Sequence, residues 1–505
     1  MTRASTLRET LLAHEQSQPD SPLLIAPETG LVLSYRQLAQ ETRQLSARYV
    51  SAGLRPGDHV GFLLHNGYQT TTIFLGTMAA GYVATPLNLL SQGAQLAYVL
   101  AHSDVRLVFT SSHYEEQLRA ALALLPGEQA ARIEVAVIDS DAPSAHAGYG
   151  EVSLDDSLPP TSPALLMYTS GTTGTPKGAL LTHSNLMHAG HAVCQWHGLT
   201  PADRVLSSLP LYHINGQCIA TVAPFVSGGS IVAPHKFSAS SWWGWVRRHQ
   251  PSWLNLVPTI ISYLLNAADS GPHQWPHIRF ARSASAPLPP DQHRAFEARF
   301  SIGVIEAMGM TECASVVFCN PQTPEKRKYG TPGLPCGVEA RVVSTETGAV
   351  LAVGATGELQ LRGANVMAGY YNAPEKSAEA LTADGWLRTG DLGHRDEDGF
   401  YFVTGRIKEL IIKGGENIAP REIDEALLAH PAVLEAAAVG IPDVNYGQEI
   451  LAAVVLKAGV SCDEATLREH CQRVLGRYKT PKTFRFVADL PKGPSGKVQR
   501  LKLLD

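Results

Sequence analysis

The chain has 505 residues, of which 44% are hydrophobic and 17% charged, a composition typical of a soluble globular protein with room for two or more domains. The formal net charge of -5 argues against a nucleic-acid-binding protein, because such proteins usually present a basic face. The seven cysteines form no C-x-x-C pair, so we expect reduced thiols in a reducing compartment.

The N-terminal stretch "MTRASTLRETLLAHEQSQPD" lacks the apolar core of a signal peptide. It predicts an amphipathic helix with Leu7, Leu11 and Leu12 on one side. No apolar run is long enough to span a bilayer, and the last residues, "LKLLD", carry no lipidation signal. We therefore expect a cytoplasmic protein without a membrane or nucleic-acid partner.

From about residue 20 to 335, short apolar runs alternate with helical patterns. The segments "HVGFLLH" and "VRLVFTS" predict strands, and "YQTTTIFLGTMAAG" and "AQLAYVLAHS" predict helices. Such alternation is typical of βαβ units with largely parallel sheets. Because the region is too long for one small sheet, we expect two α/β subdomains.

The pattern changes after residue 335. Between about 336 and 407, the strands "GVEARVVS", "GELQLRG" and "GFYFVTGR" are separated by glycine-rich turns, which predicts a small antiparallel barrel or sheet. A helix at "PREIDEALLAH" and strands at "AAAVGIP" and "ILAAVVLK" follow. The predicted fold is therefore α/β, with an N-terminal domain over 1–407 and a small α+β domain over 408–505.

A glycine-rich loop, "YTSGTTGTPKG", runs from Tyr168 to Gly178 after the apolar segment "PALLM". Backbone N–H groups, hydroxyls and a lysine are the groups that bind a polyphosphate. The loop is not a Walker A motif, because Lys177 precedes Gly178 instead of Ser or Thr. By composition alone, a flexible surface turn is an equally good interpretation.

The complete loop string resembles the phosphate loop of the adenylate-forming superfamily, which contains acyl-CoA synthetases, adenylation domains and luciferases. The resemblance extends along nearly the whole chain in the family's order. The further matching segments are "LPLYHINGQ" (209–217), "RSASAPL" (282–288), "EAMGMTE" (306–312), "GWLRTGDLG" (385–393), "GRIKELIIKGGENIAPREID" (405–424) and "LPKGPSGKVQR" (490–500). The segments "RFARSASAPL" (279–288), "FSASSWW" (237–243) and "GRIKELIIKGGENIAPREID" (405–424) are most similar to the branch that contains oxalate–CoA and carnitine–CoA ligases.

The resemblance implies a nucleotide site. The residues that it assigns to ATP are Thr169, Ser170, Gly171, Thr172, Thr173, Gly174, Lys177, Ser285, Ala286, Pro287, Met308, Gly309, Asp391 and Arg406. Asp391 matches the carboxylate that accepts the ribose hydroxyls, and Arg406 the arginine that supports ribose and phosphate. Met308 departs from the family pattern, since an aromatic usually stacks on adenine there; a thioether covers the ring face less rigidly.

Three residues match the family's catalytic groups. Lys497 matches the lysine that bridges the acid and the α-phosphate, Thr311 the α-phosphate donor, and Glu312 the magnesium ligand. Without the family match, Lys497 would be a solvated lysine and Glu312 an exposed acid.

The resemblance also implies an acid pocket and a CoA site. His213, Asn215 and Gln217 lie in the motif that lines the family's acyl pocket, and Arg282 precedes the adenine stretch. Because such polar groups are costly to bury beside an aliphatic tail, we expect a short or polar acid, such as a small dicarboxylate or hydroxylated acid. The alternative is that Arg282 turns away to pair with a structural carboxylate.

The remaining two assignments concern the second half-reaction. Lys408 aligns with the hinge about which the C-terminal domain rotates, and Gly415 with backbone that lies close to the pantetheine arm.

We therefore predict an ATP- and magnesium-dependent acid–CoA ligase with CoA as co-substrate. One alternative is a stand-alone enzyme that loads an acyl-carrier protein, and another is a non-catalytic binding protein on this fold. His188, His191 and Cys194 share i, i+3 spacing and could bind zinc, but packing and surface roles are the more common outcome. A monomer and a homodimer both fit the sequence.

Overall fold

The computed structural model describes residues 4–169, 176–267, 274–492 and 498–504. The α-helices are α1 (Leu7–Ser17), α2 (Tyr35–Ser51), α3 (Tyr68–Ala79), α4 (Gly93–His102), α5 (Glu115–Leu122), α6 (Gly127–Ala130), α7 (His183–His197), α8 (Ala223–Ser227), α9 (Ala239–His249), α10 (Pro258–Asn266), α11 (Pro290–Phe300), α12 (Pro374–Ala380), α13 (Pro420–Leu428) and α14 (Glu464–Lys479). A π-helix spans Asn215–Val222, and short 3₁₀ helices span Ala147–Tyr149, Thr311–Cys313, Pro324–Lys326, Ile407–Glu409 and Arg500–Leu503.

The strands are β1 (Pro22–Ile25), β2 (Val32–Ser34), β3 (His59–Leu63), β4 (Val83–Pro86), β5 (Val105–Thr110), β6 (Glu134–Val137), β7 (Pro163–Thr169), β8 (Lys177–Thr182), β9 (Arg204–Leu206), β10 (Ser230–Val232), β11 (Trp253–Leu256), β12 (Phe280–Ser283), β13 (Val304–Met308), β14 (Phe318–Cys319), β15 (Leu334–Pro335), β16 (Glu339–Val343), β17 (Gly357–Arg362), β18 (Gly369–Tyr370), β19 (Leu387–Arg395), β20 (Tyr401–Arg406), β21 (Ile411–Lys413), β22 (Glu416–Ile418), β23 (Val433–Asp443), β24 (Gly447–Leu456) and β25 (Thr483–Phe486).

Helix starts follow from local capping. The Thr6 side chain accepts the Glu9 amide at the start of α1, and Leu7 and Leu11 are buried below it, as the amphipathic pattern predicts. Full capping boxes begin α2 at Ser34 and α7 at Thr182, where the side chain and the backbone of the cap are both satisfied.

Two large sheets carry the N-terminal part. The seven-stranded sheet has the order β18-β8-β7-β4-β3-β5-β6, and the nine-stranded sheet the order β15-β14-β13-β12-β11-β9-β10-β1-β2. β3 to β7 are parallel, as are β1, β10, β9, β11, β12 and β13, whereas the outer strands are antiparallel. The predicted pair of α/β subdomains is confirmed.

The β-rich region forms a four-stranded antiparallel sheet, β16-β17-β19-β20. The C-terminal part is a smaller α+β unit whose sheet has the order β22-β21-β24-β23, with β25 parallel to β24. Its core is separate from that of the large sheets and contains Ile411, Ile423 and Val454. Between the β-rich sheet and this unit, the chain forms the 3₁₀ helix Ile407–Glu409; the exact boundary at residue 408 stays a prediction.

No helix in the described ranges is long and apolar enough to cross a membrane.

Candidate active site

The glycine-rich loop connects two antiparallel neighbours, β7 and β8. Thr169 and Lys177 are opposite each other in the register of these strands, so both ends of the loop leave the sheet at one point. The expected phosphate-binding residues Ser170, Gly171, Thr172, Thr173 and Gly174 lie outside the described residues, as does Lys497. The hairpin nonetheless fixes where the loop begins and ends.

Glu312 and Lys177 lie together beside the loop. The hydroxyl of Tyr370 donates to Oε1 of Glu312 at 2.8 Å, and the Lys177 ammonium lies 5.0 Å from the centre of the Tyr370 ring. Partial burial lowers the pKa of Lys177, and the positive charges of Lys408 and Lys376 lower it further. The structure therefore gathers an acid and several cations in one place, as a site for a metal-bound polyphosphate requires.

Tight backbone packing holds the "GMTE" turn. A Cβ on Gly309 would lie 1.6 Å from the carbonyl oxygen of Ser315, so only glycine fits there. Ala314 and Ser315 both have positive φ, at 48° and 85°. Thr311 begins the 3₁₀ helix that contains Glu312, and Met308 ends β13 half-buried. Backbone strain of this kind is concentrated at functional sites.

Asp391 and Arg406 are opposite each other in β19 and β20. Arg406 Nε donates to Asp391 Oδ1 at 2.8 Å, with the aspartate side chain 4% and the arginine side chain 40% exposed. Oδ2 of Asp391 has no hydrogen-bond partner among the described residues. The negative charge of Asp391 raises the pKa of Arg406, and the charges of Glu409 and Glu312 raise it further. The free oxygen is an acceptor that suits a ribose hydroxyl.

The adenine stretch follows β12. Ser285 has φ 74°, a left-handed conformation unusual for serine, and its hydroxyl accepts from Nδ2 of Asn215 at 3.0 Å. Ala286 is half-buried and Pro287 is exposed. The hydrogen bond to Asn215 joins this stretch to the segment "LPLYHINGQ" (209–217), the acid motif.

Close contacts between its own residues hold the acid motif in one conformation. A Cβ on Gly216 would lie 2.4 Å from the carbonyl oxygen of Pro210, and Gln217 donates to the carbonyl oxygen of Leu211 at 2.6 Å. The backbone N–H of Asn215 donates to Nδ1 of His213 at 3.3 Å. The π-helix Asn215–Val222 begins within the motif, and this rare form is frequent at functional sites.

Arg282 is fully buried beside this motif. Its Nη1 lies 3.5 Å from Oδ1 of Asn215, while Nε and Nη2 have no hydrogen-bond partner in the described ranges. Burial lowers the pKa of the guanidinium, and the thiols of Cys319 and Cys336 oppose this. No ion pair with a described carboxylate is present, so the structural pairing considered above is not seen within the described residues.

Two residues at the site are not among the sequence-based candidates. Asn255 is fully buried in β11 and donates to Oδ1 of Asn215 at 3.1 Å. A polar residue in the apolar run "WLNL" is a signal that could have identified it. Tyr370 orients Glu312, but nothing in "AGYYN" distinguishes it from its neighbour Tyr371.

The hinge and CoA candidates lie at the start of the C-terminal part. Lys408 is in the 3₁₀ helix Ile407–Glu409, and Gly415 is in the β21–β22 turn with φ 85°. A Cβ on Gly415 would meet nothing within 4 Å, so the backbone there is open to a ligand.

The histidines and cysteine considered for zinc point to three different backbone carbonyls. His188 contacts Gly337 O at 2.8 Å, His191 contacts Ala4 O at 3.5 Å, and Cys194 contacts Ala223 O at 3.2 Å. These contacts agree with packing roles.

Comparison with known proteins gives consistent relatives. Residues 11–371 match the model of the AMP-binding enzyme family, and residues 422–497 match the AMP-binding enzyme C-terminal domain. The chain is 56% identical to the sulfoacetate–CoA ligase of Cupriavidus necator, covering 99% of this chain and 97% of that one. It is 34% identical to the oxalate–CoA ligase of Arabidopsis thaliana, covering 93% and 92%.

A solved structure shows the same architecture. ATP-bound MatB from Rhodopseudomonas palustris superimposes with a TM-score of 0.91 at 31% identity, covering 99% of this chain and 98% of that one.

Proposed function

Since this chain belongs to the AMP-binding enzyme family and is an ATP-dependent acid–CoA ligase, we propose that its acid is a short carboxylic acid with a second anionic group. Sulfoacetate is the first candidate, because a relative that is 56% identical over 99% of this chain carries that name. Oxalate and malonate are the closest alternatives in shape and charge.

The observation that carries this proposal is the burial of Arg282 without a carboxylate. A guanidinium stays charged at all physiological pH values, so it cannot lower the cost of burial by losing its proton. A buried charge is stable only when it is paired, and an unpaired one costs several kcal/mol. A substrate sulfonate or carboxylate supplies the missing anion, and Nε and Nη2 are the donors that would receive it.

The amides around Arg282 suit the same acid. Asn215 joins Arg282, Asn255 and Ser285 through one side chain, so a ligand that reaches Arg282 also contacts Asn215. A long aliphatic tail would leave Nε and Nη2 of Arg282 unpaired, at a cost of about 1–3 kcal/mol each. We also assign His213 to this pocket, and Gln217 to its support through Leu211.

The first half-reaction needs positioning more than a protein nucleophile. The acid carboxylate attacks the α-phosphorus of ATP, the bond to pyrophosphate breaks, and acyl-AMP forms. Lys177 and Lys497 are the cations that we assign to the phosphates, and Thr311 donates to the α-phosphate. Glu312, oriented by Tyr370, is the ligand for magnesium, which neutralises phosphate charge when bound with ATP.

The nucleoside is held by groups that are already in place. We assign the free oxygen of Asp391 to the ribose hydroxyls, with Arg406 fixing the carboxylate. Ser285, Ala286 and Pro287 line one side of the adenine, and Met308 and Gly309 line the other.

In the second half-reaction, the CoA thiol must reach the acyl-AMP. The CoA thiol attacks the acyl carbon, the bond to the AMP oxygen breaks, and the thiol proton leaves to solvent. We assign the pivot to Lys408 and the pantetheine contact to Gly415, whose open surface admits a ligand. A carrier protein would need the same thiol chemistry but a docking surface as well.

A pyrophosphate-release assay tests the proposal. The panel contains sulfoacetate, oxalate, malonate, acetate and hexanoate, each with and without CoA. We expect the highest kcat/KM for an acid with a second anion and a CoA-dependent thioester product. A preference for hexanoate over every dianion would overturn the assignment of the acid. Thioester formed only with a carrier protein would overturn CoA as acceptor.

A further inference from the structure

Three segments far apart in the chain bring two imidazoles and a carboxylate together outside the candidate active site. They are His65 after β3, Asp141 after β6 and His235 after β10, and one ligand atom from each lies within 4.8 Å of the others. Nε2 of His235 lies 3.1 Å from Oδ2 of Asp141, and the rings of His65 and His235 have centroids 4.2 Å apart. All three side chains are half-buried, so an ion from solvent can reach them.

The tautomer of His65 favours metal binding. Its Nδ1 lies 2.7 Å from the carbonyl oxygen of Asn66, and since a carbonyl can only accept, Nδ1 carries the proton. In the neutral ring, Nε2 then holds the free lone pair. Metal-binding histidines usually have this second hydrogen bond, which orients the ring and fixes the tautomer.

The other two side chains are also held in place. The His235 backbone N–H donates to Oε1 of Glu28 at 3.0 Å, and the backbone N–H of Tyr68 donates to the Asp141 carboxylate. Gly67 leaves room for that carboxylate, because a Cβ there would lie 3.0 Å from Oδ1 of Asp141. A preformed, oriented set of ligands loses little freedom when an ion binds.

We propose that His65, Asp141 and His235 form a binding site for a divalent transition-metal ion, with zinc as the best fit. Two imidazole nitrogens and one carboxylate oxygen suit Zn²⁺, and a water would complete a tetrahedral shell. The three residues are not among those assigned to the nucleotide, the acid or magnesium, and the proposal does not depend on the identity of the acid.

Binding at this site would stiffen the acid motif. Asn66, the residue after His65, donates through Nδ2 to Leu209 O at 3.0 Å and accepts from Leu211 N at 3.1 Å. An ion at His65 therefore braces the segment that leads into His213.

The test uses the untagged full chain after treatment with a chelator, in the absence of ATP and magnesium. Zn²⁺ binding is measured by calorimetry and the geometry by Co²⁺ absorption in the wild type, His65→Gln and His235→Gln. His113→Gln is the matched control, because His113 is exposed and outside the cluster. Circular dichroism without metal checks the folding of each variant, and Asp141→Asn replaces any histidine variant that does not fold.

We expect one equivalent of Zn²⁺ in the wild type and in His113→Gln, with a tetrahedral Co²⁺ spectrum and a higher melting temperature on binding. Affinity should fall by at least about 100-fold in each cluster variant, because a direct ligand matters more than an outer-shell partner. No binding by the wild type, or unchanged affinity in either cluster variant, would overturn the proposal.

Discussion

The nucleotide side and the acid side of the candidate site hold their arginines in opposite ways. Arg406 is half-exposed and has a buried carboxylate, Asp391, at 2.8 Å. Arg282 is fully buried, with an amide oxygen and two thiols near its guanidinium and no ion pair to a carboxylate among the described residues. Under the proposed assignments, the arginine of the nucleotide side has its counter-charge before any ligand binds, whereas the arginine of the acid side would receive it from the ligand. Such a difference would let one fold bind the same nucleotide and select different acids.

A buried acid near the nucleotide side shows why the type of charge matters. Glu306 in β13 accepts the Leu288 amide, and burial raises its pKa to about 7. The carboxyl group can become neutral by taking up a proton, but the Arg282 guanidinium has no such route. An arginine without a partner is therefore stronger evidence for an anionic ligand than a glutamate is for a cation.

The largest expected effect tests the cations on the nucleotide side. Lys497→Ala should raise the activation free energy of acyl-AMP formation by about 3–4 kcal/mol, because a charge that acts on the transition state is lost. The rate of this step should fall a few hundredfold. Transfer from pre-made acyl-AMP to CoA should be nearly normal. Single-turnover assays of each half-reaction measure both. The control is Lys492→Ala in the same segment, because Lys492 pairs with Glu435 instead. Equal losses in both half-reactions would show that the role assigned to Lys497 is wrong.

The second prediction distinguishes the role of the hinge from the roles of the nucleotide and acid sides of the site. Lys408→Pro fixes φ at the proposed pivot and removes a backbone N–H donor. A domain rotation that requires φ of residue 408 to change should then cost about 3 kcal/mol more. Acyl-AMP should form normally while thioester formation falls about 100-fold. Lys408→Ala, which keeps the backbone free, is the control. Normal steady-state thioester formation by the proline variant would move the hinge elsewhere.

The third prediction concerns the titration of Glu306. Its pKa in the folded state is raised from 4.5 to about 7, so the folded protein binds more protons than the unfolded chain between these values. Stability is therefore lost as pH rises through this window, by about 3 kcal/mol. Relative to wild type, Glu306→Gln should become more stable as pH rises from 5 to 8, as measured by chemical unfolding.

Glu297 provides the control, because its pKa is shifted the other way. Burial opposes the shift, yet hydrogen bonds from His293, Tyr329 and the Val304 amide lower the pKa to about 2. Stability from this group is lost only as pH falls below about 4.5. The Glu297 carboxyl itself therefore contributes no pH dependence from pH 5 to 8. A constant difference between wild type and Glu306→Gln over this range would contradict the assigned burial effect.

The fourth prediction tests the acid side directly. Arg282→Met should reduce kcat/KM for the preferred dianionic acid, with a loss of about 2–3 kcal/mol of transition-state stabilisation. The reason is that a hydrogen bond between a charged donor and a charged acceptor is lost. Acetate, which has no second anion, should be spared. The control is Arg279→Met, which removes a neighbouring arginine that pairs with Asp203 at 2.6 Å. Equal losses for both acids in Arg282→Met would make Arg282 a structural residue.

The smallest expected effect concerns the orientation of Glu312. Tyr370→Phe removes the hydroxyl that donates to Oε1, and a bond to a charged group contributes about 1–2 kcal/mol. The magnesium concentration for half-maximal pyrophosphate release should rise about tenfold. Tyr371→Phe is the matched control, since its hydroxyl donates to Asp104 instead. An equal rise in both variants would remove Tyr370 from the metal site.

The sequence alone determined the fold class and the order of the motifs. Apolar alternation located β3, β5, α3 and α4, because period and length are local properties of the chain. The glycine-rich loop and the six further motif strings also identified the family and its acid–CoA ligase chemistry, because each string is contiguous. The roles of individual site residues remain predictions, and those of the loop and of Lys497 lie outside the described residues.

Only the tertiary structure decided which side chains meet. Tyr370 reaches Glu312 across 58 positions, and Asn255 reaches Asn215 across 40, distances over which sequence patterns carry no directional information. His65, Asp141 and His235, which follow β3, β6 and β10, likewise converge only in the folded chain. The burial of Arg282 without a carboxylate is also a tertiary property. A one-dimensional pattern fixes which face of a strand a residue occupies, but the groups opposite that face come from elsewhere in the chain.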